Sequence, residues 1–220
     1  MQEIQCDKEV YLTKSFRFGP AIAQHASRIL AALGENQIIQ PNEKIESKVS
    51  GSGDFEAVLA RTNSEVINQT LLALEAGLKP HIVGGTEELS DLVSDVFKLM
   101  DGKPARHPKL FGFQSWESVV EFSTSEVGTD FRAFVSLVKK YGPKTLWAAL
   151  KGAECLPIDA NIEVSTGHKS KGLEWSSVLI ADDFVKALNE PDPAEYRLFY
   201  VAATRARKNL IVNPRAFSKF

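Results

Sequence analysis

Cysteine is scarce in this 220-residue chain: Cys6 and Cys155 lie far apart, without the spacing of a zinc site or a disulfide framework. A reducing, intracellular setting is the expectation. No stretch approaches the ~18 consecutive apolar residues of a membrane span. The opening MQEIQCDKEVYLTK carries charges where a secretory leader needs an apolar core. A soluble protein without a membrane partner is expected. An excess of one charge sign is lacking too, since 26 Lys and Arg face 28 Asp and Glu for a formal net charge of -2. That weighs against indiscriminate adhesion to nucleic acid and leaves room for a local basic groove. No metal-ligand cluster is expected.

The phosphate-loop pattern G-x-x-x-x-G-K-[ST] is also missing from the whole chain, although two stretches imitate parts of such enzymes. Gly167-His168-Lys169-Ser170-Lys171-Gly172 has the right glycine spacing, but Leu173 and Glu174 stand where Lys and Ser or Thr are required. Val178-Leu179-Ile180-Ala181-Asp182-Asp183 imitates a magnesium-holding strand. Without the loop those acids have no triphosphate to serve, and they read as strand-end caps or partners for an arginine. An independent phosphate-loop enzyme is excluded.

What is present is 44% hydrophobic residues, enough for one substantial core. Val10–Thr13 is a short β-prone run, followed after Gly19-Pro20 by a helix with Ile22, Ala26, Ile29, Leu30 and Leu33 at helical spacing. Ala57-Val58-Leu59-Ala60 reads as a strand, with a helix from Asn63 or Ser64 to Gly77, and His81-Ile82-Val83 as another strand. Helical periodicity dominates from about Glu87 to Leu150, broken by a loop from Gly102 to Gly112. Strands return at Ile162–Val164, Val178–Ala181 and Leu210–Val212, with a helix from about Pro193 to Arg207 before the last. Strands alternating with helices at both ends of the chain imply an α/β fold: one parallel sheet covered on both faces, interrupted by a mainly helical insertion. The expected parts are 1–86, the insertion 87–156, and 157–220.

In open parallel sheets ligands sit at the C-terminal ends of the strands. Following each expected strand into its loop leads to Arg17, to Arg61 and Asn63, and to Thr166, His168, Lys169 and Lys171, so polar donors are expected to converge on one rim. Arg205 stands out. Leu198, Val201, Ala202 and Arg205 lie at i, i+3, i+4 and i+7, placing an arginine where an apolar stripe calls for a leucine. It is either one half of an internal ion pair, with Asp182 or Asp183 as partner, or a guanidinium held by packing and aimed at an anion, a phosphate above all.

Together these stretches resemble the second RecA-like lobe of superfamily 1 helicases of the UvrD/Rep type. YLTKSFRFGPAIAQHASRIL resembles their motif IV, VLARTN motif IVa, STGHKSKGLEW motif V and EYRLFYVAATRARKNL motif VI, in that order. The look is nearest to the F-box DNA helicase branch, although no F-box is present. One departure is Gly167, where the family pattern calls for an apolar residue; it is expected to loosen the strand-to-loop transition. The resemblance implies a RecA-like lobe (2A) with a 2B-type insertion at 87–156. It implies Arg17 and Arg205 as catalytic arginine fingers toward ATP, and Gly172 and Glu174 as nucleotide-binding residues. Arg61, Asn63, Thr166 and His168 would contact single-stranded DNA. It further implies ATP with Mg2+, shared with an N-terminal helicase lobe that carries the phosphate loop, 3′-to-5′ movement, and no turnover by this lobe alone. The competing reading is a non-enzymatic nucleic-acid-binding or scaffold module derived from such a lobe.

Overall fold

The computed structural model describes residues 13–189 and 192–220. The expected strand at Val10–Thr13 lies outside the described residues except for Thr13, and so does Cys6. Six strands follow: β1 (Lys48–Ser50), β2 (Ala57–Ala60), β3 (Pro80–Ile82), β4 (Ile162–Thr166), β5 (Trp175–Ile180) and β6 (Ala206–Ile211). They form one parallel sheet in the order β1-β6-β5-β2-β4-β3. The helices are α1 (Pro20–Ala32), α2 (Asn63–Glu75), α3 (Glu87–Met100), α4 (Trp116–Phe122), α5 (Thr129–Gly152), α6 (Asp183–Ala187), α7 (Pro193–Ala203) and α8 (Pro214–Phe217).

β2 lies inside the sheet, and all four of its residues are at most 2% exposed. That double burial is why Ala-Val-Leu-Ala reads as a continuous apolar run with no polar alternation. Val58 and Ala60 face one core, shared with Val66 and Ile67 of α2, Leu92 and Val96 of α3 and Leu146 and Leu150 of α5. Ala57 and Leu59 face the other, shared with Ile22 and Ile29 of α1, Phe184 of α6 and Phe199 of α7. The helical stretch between β3 and β4 therefore packs into the same core as the sheet face beneath it. Its α5 is kinked where Gly142 adopts φ 74° ahead of Pro143.

Two elements depart from the sequence reading. β1 was not expected: Lys-Val-Ser offers a single apolar side chain, and as an edge strand it pairs only with β6. The helix expected to run to Arg207 ends at Ala203. The Thr204 hydroxyl donates back to the carbonyls of Tyr200 and Val201, and Ala206 then pairs with Trp175 to begin β6. Sheet pairing outcompetes the helical stripe there.

The connection from β4 to β5 positions everything that follows. These parallel strands flank β2, so the chain must return from the C-terminal edge of the sheet to the N-terminal edge between them. Such returns usually take a dozen or more residues and a helix. Here residues 167–174 make it in turns alone.

Candidate functional site

The N-terminal ends of β5 and β6 lie next to the segment that precedes α1, and a concave, open pocket of about 490 Å³ forms between them. Glu174, the last residue before β5, accepts from Arg17 Nε at 2.9 Å and lies 3.6 Å from Arg207 Nη1. Arg17 also donates to the Thr204 carbonyl at 3.3 Å. Arg205 comes from the turn between α7 and β6. Its Nε donates to the Val201 carbonyl at 2.9 Å, Nη1 to the Leu173 carbonyl at 3.3 Å and Nη2 to Thr204 Oγ1 at 3.4 Å.

Arg205 is thus not a member of the α7 stripe, nor is either expected acid its partner. It is held past the helix end by backbone and hydroxyl acceptors, which fix the guanidinium without neutralising it. Burial, then the positive charge of Arg17, lowers its pKa from the ordinary arginine value. The pocket lining carries Lys14, Arg17, Arg205 and Arg207 against the single carboxylate of Glu174. Such an excess of guanidinium and ammonium groups in an open concavity suits a polyanion. Phe16 lines the same pocket and is 74% exposed, with Lys14 Nζ 5.4 Å from its ring centroid. Gly172, in the turn just before, adopts φ +88°, and the space where a Cβ would sit is open.

The remaining expected residues gather at the opposite edge of the sheet. Arg61 follows the last residue of β2, and Thr166 ends β4, roughly 20 Å along the strand direction from Glu174. The expectation of one rim is corrected: Arg17 belongs with the N-terminal ends of β5 and β6, and the DNA candidates with the C-terminal ends of β2 and β4. At that second edge, Asp183 accepts from the Arg61 and Thr62 backbone N–H groups and from the Thr62 hydroxyl at 2.9 to 3.1 Å. The strand-end cap read from the sequence is therefore present. Burial raises its pKa to about 6. Arg61 makes a two-point ion pair with Glu195 of α7, at 2.7 and 2.5 Å, and that hydrogen bond raises its pKa. Asn63 donates to Glu88 at 3.0 Å. Thr166 is 6% exposed, and its hydroxyl accepts from the Lys169 amide. His168 is exposed.

Gly167 does not loosen the chain here. Its N–H donates to the Ala60 carbonyl at 2.8 Å, and a Cβ would meet Leu198 Cδ1 at 3.0 Å and Phe184 Cζ at 3.4 Å. Close packing by Leu198 of α7 and Phe184 of α6 leaves little room for a side chain there. Residues 167–174 thus join the two edges, packed at Gly167 and Ser170 and exposed at His168 and over 171–174. The sequence reading missed Phe16, Arg207, Glu88 and Glu195 as neighbours of the site. Phe16, Glu195 and Arg207 lay inside the quoted motifs, whereas Glu88 lay outside them, and neither acid is close in sequence to the residue it pairs with.

Residues 161–213 match the family profile of the UvrD-like helicase C-terminal domain. The chain is similar to F-box DNA helicase protein 1 of Schizosaccharomyces pombe, 29% identical over 239 residues, covering 94% of this chain and 27% of that protein. It is also similar to F-box DNA helicase 1 of Gallus gallus, 27% identical over 237 residues, covering 92% of this chain and 23% of that protein. The chain spans about a quarter of the length of these curated relatives. Profile and relatives together support a C-terminal helicase lobe, and the six-stranded parallel sheet is the RecA-like α/β fold consistent with it. No helix among the described residues is long and apolar enough to cross a membrane.

Proposed function

We propose that this chain is the C-terminal motor lobe of an ATP-dependent 3′-to-5′ DNA helicase or translocase, working inside the cell and paired with an N-terminal lobe that carries the phosphate loop. The observation that carries this reading is the convergence of Arg17, Glu174 and Arg205 in one open, cation-rich pocket. The 3′-to-5′ direction rests on the motif resemblance alone.

The residues present fit a nucleoside triphosphate. Arg17, Arg205 and Arg207 supply donors for phosphate oxygens, the Glu174 carboxylate can accept from ribose hydroxyls, and the exposed Phe16 ring offers a face to a base. No cluster of His, Cys, Asp and Glu suited to a metal occurs among the described residues, so Mg2+ would be held by the other lobe and the phosphates. Phosphoryl transfer is accelerated mainly by positioning and by neutralising charge on the transferring group. Arg205 suits such a role, because its hydrogen bonds fix it before a nucleotide arrives and the acceptors it uses are neutral. Arg17 must exchange its bond to Glu174 for one to phosphate, which ties closure of the cleft to nucleotide occupancy.

At the C-terminal edge, Arg61, Asn63, Thr166 and His168 form the proposed single-strand track. Contacts to the phosphodiester backbone give little sequence preference and a marked salt dependence. The eight-residue connection between β4 and β5 follows Thr166 and ends at Glu174, so movement at the nucleotide is transmitted to the strand through a short segment. The helical part at 87–156 corresponds in position to a 2B-type insertion.

The experiment that tests this reading uses the two-lobed protein. Arg205→Ala lowers kcat for ATP by about a thousandfold or more, the range for an arginine finger, and leaves single-strand affinity within about twofold. Loss of DNA binding with normal turnover would place Arg205 on the wrong surface. Full activity in both would remove the arginine-finger role from Arg205, and a wild-type two-lobed protein that binds single strands without ATP turnover would favour the scaffold reading.

A further inference from the structure

At the C-terminal edge of the sheet, one carboxylate holds two residues that come from different connections. Glu88 Oε1 accepts from Asn63 Nδ2 at 3.0 Å and Oε2 from Lys169 Nζ at 2.9 Å. Asn63 opens α2, Lys169 lies in the β4–β5 connection, and Glu88 belongs to the first turn of α3, where the helical part of the chain begins. Lys169 does not reach Glu88 by chance of a mobile stem. Gly84, with φ +85°, leaves no side chain in its way, and a Cβ there would touch Lys169 Cδ at 3.5 Å and Nζ at 3.7 Å. The stem lies across the Gly84-Gly85 turn and sets the ammonium at the rim.

Burial does not compel this pairing. The Lys169 and Glu88 side chains are 34% and 48% exposed, and exposed ion pairs contribute little to stability. The geometry has another use: two oxygens of one anionic group receiving an amide N–H and an ammonium is also how a phosphodiester would be held. We propose that Lys169 and Asn63 form a backbone-phosphate position on the single-strand track and that Glu88 occupies it as a displaceable carboxylate until DNA arrives. This rests on the reading of that edge as a DNA track and adds a residue, Lys169, and a regulatory contact to it.

Glu88 can leave at small cost, because in the first turn of α3 a carboxylate remains favoured by the helix dipole after it swings outward. Pre-neutralisation has a measurable signature. A phosphate that displaces Glu88 frees a carboxylate that recruits a cation, so this contact adds almost nothing to net counterion release.

The test is fluorescence anisotropy of a labelled dT20 oligonucleotide with the 220-residue chain between about 50 and 200 mM salt, the range over which phosphate contacts weaken measurably. Glu88→Gln keeps the shape and an acceptor but removes the charge. It is expected to bind about threefold tighter at the low end, in line with one exposed charge pair, with the slope of log K against log salt steeper by about 0.7. Glu88→Ala carries the same expectation if the glutamine variant folds poorly. Lys169→Ala should weaken binding and abolish the gain when combined with Glu88→Gln. Glu87→Gln, which removes the same charge one residue away, should give a smaller gain and an unchanged slope.

A wild-type chain that binds dT20, with Glu88→Gln no tighter or with its gain intact in the Lys169→Ala background, overturns the displaceable carboxylate and leaves the track standing. No binding by wild type or any variant overturns both.

Discussion

His25 gives the most quantitative prediction about the lobe. It lies in α1 at 2% exposure, its ring stacked on Phe217 with centroids 5.0 Å apart and edge-on to Phe199 and Phe220. Neither ring nitrogen has a hydrogen-bond partner among the described residues. Burial, assisted by the positive charge of Arg28, lowers its pKa from 6.5 to about 4. The folded state therefore takes up this proton later than the unfolded chain, and the contribution of His25 is intact above pH 6.5 and lost as pH falls toward 4. Between pH 7 and 5 that loss is about 2 kcal/mol. Asp183 acts in the opposite sense. Its carboxyl is raised from 3.8 to about 6, so the folded state takes up that proton first, and stability is gained on acidification through this range, by about 1 kcal/mol over the same interval. Glu88, Asp95 and Glu154 have lowered pKa values, so their contribution is lost on the acid side of the usual carboxylate range. Together His25 and Asp183 cost the wild-type lobe about 0.5 kcal/mol between pH 7 and 5, and burial of His107, which lowers its pKa, adds to the loss. His25→Phe, which keeps an aromatic ring in the stack, removes the His25 contribution and should lose about 2 kcal/mol less than wild type between pH 7 and 5. Urea unfolding followed by tryptophan fluorescence at the two pH values reads this directly. A His25→Phe protein with the same acid-side loss as wild type would refute the reasoning.

Two further predictions concern the supports of the two edges. Asp183→Ala strands two backbone N–H groups and a hydroxyl at the end of β2, and should cost about 3 kcal/mol in urea unfolding at pH 7; Asp183→Asn, which keeps one acceptor, should cost clearly less. A loss under about 0.5 kcal/mol in the alanine variant, the size of an ordinary surface change, would mean that the turn finds other acceptors. Gly19→Ala would set a Cβ 2.0 Å from the Ile45 carbonyl oxygen at the start of α1, and should cost about 2 kcal/mol, as overpacking does. An unchanged thermal midpoint would show that the chain ahead of α1 shifts freely.

The sequence made the doubly buried interior of the sheet readable, because strands such as Ala57–Ala60 carry an apolar signal on both faces. The edge strand Lys48–Ser50 was hidden, since one valine between polar residues has no period. Arg205 was noticed for a periodicity that the chain does not use: the helix stops at Ala203, and the side chain is set by Val201, Leu173 and Thr204 instead. Its convergence with Arg17 and Glu174 came from the motif resemblance and not from local pattern. The division of the site between two sheet edges was not legible, because it depends on strand direction and on how residues 167–174 return from β4 to β5. The carboxylates that hold the rim were hidden for a related reason. Arg61 and Glu195 are 134 residues apart, and no local signal links them.

In the proposed function Arg205, held by Val201, Leu173 and Thr204, meets charge that develops on a transferring phosphoryl group. An arginine used in this way stabilises the transition state far more than the ground state. The direct measurement is the affinity of the two-lobed protein for ADP and for ADP with aluminium fluoride, comparing wild type with Arg205→Ala. The account predicts ADP affinity within about threefold and the fluoride complex weakened by about a hundredfold or more. Equal weakening of both complexes, or of neither, would contradict it.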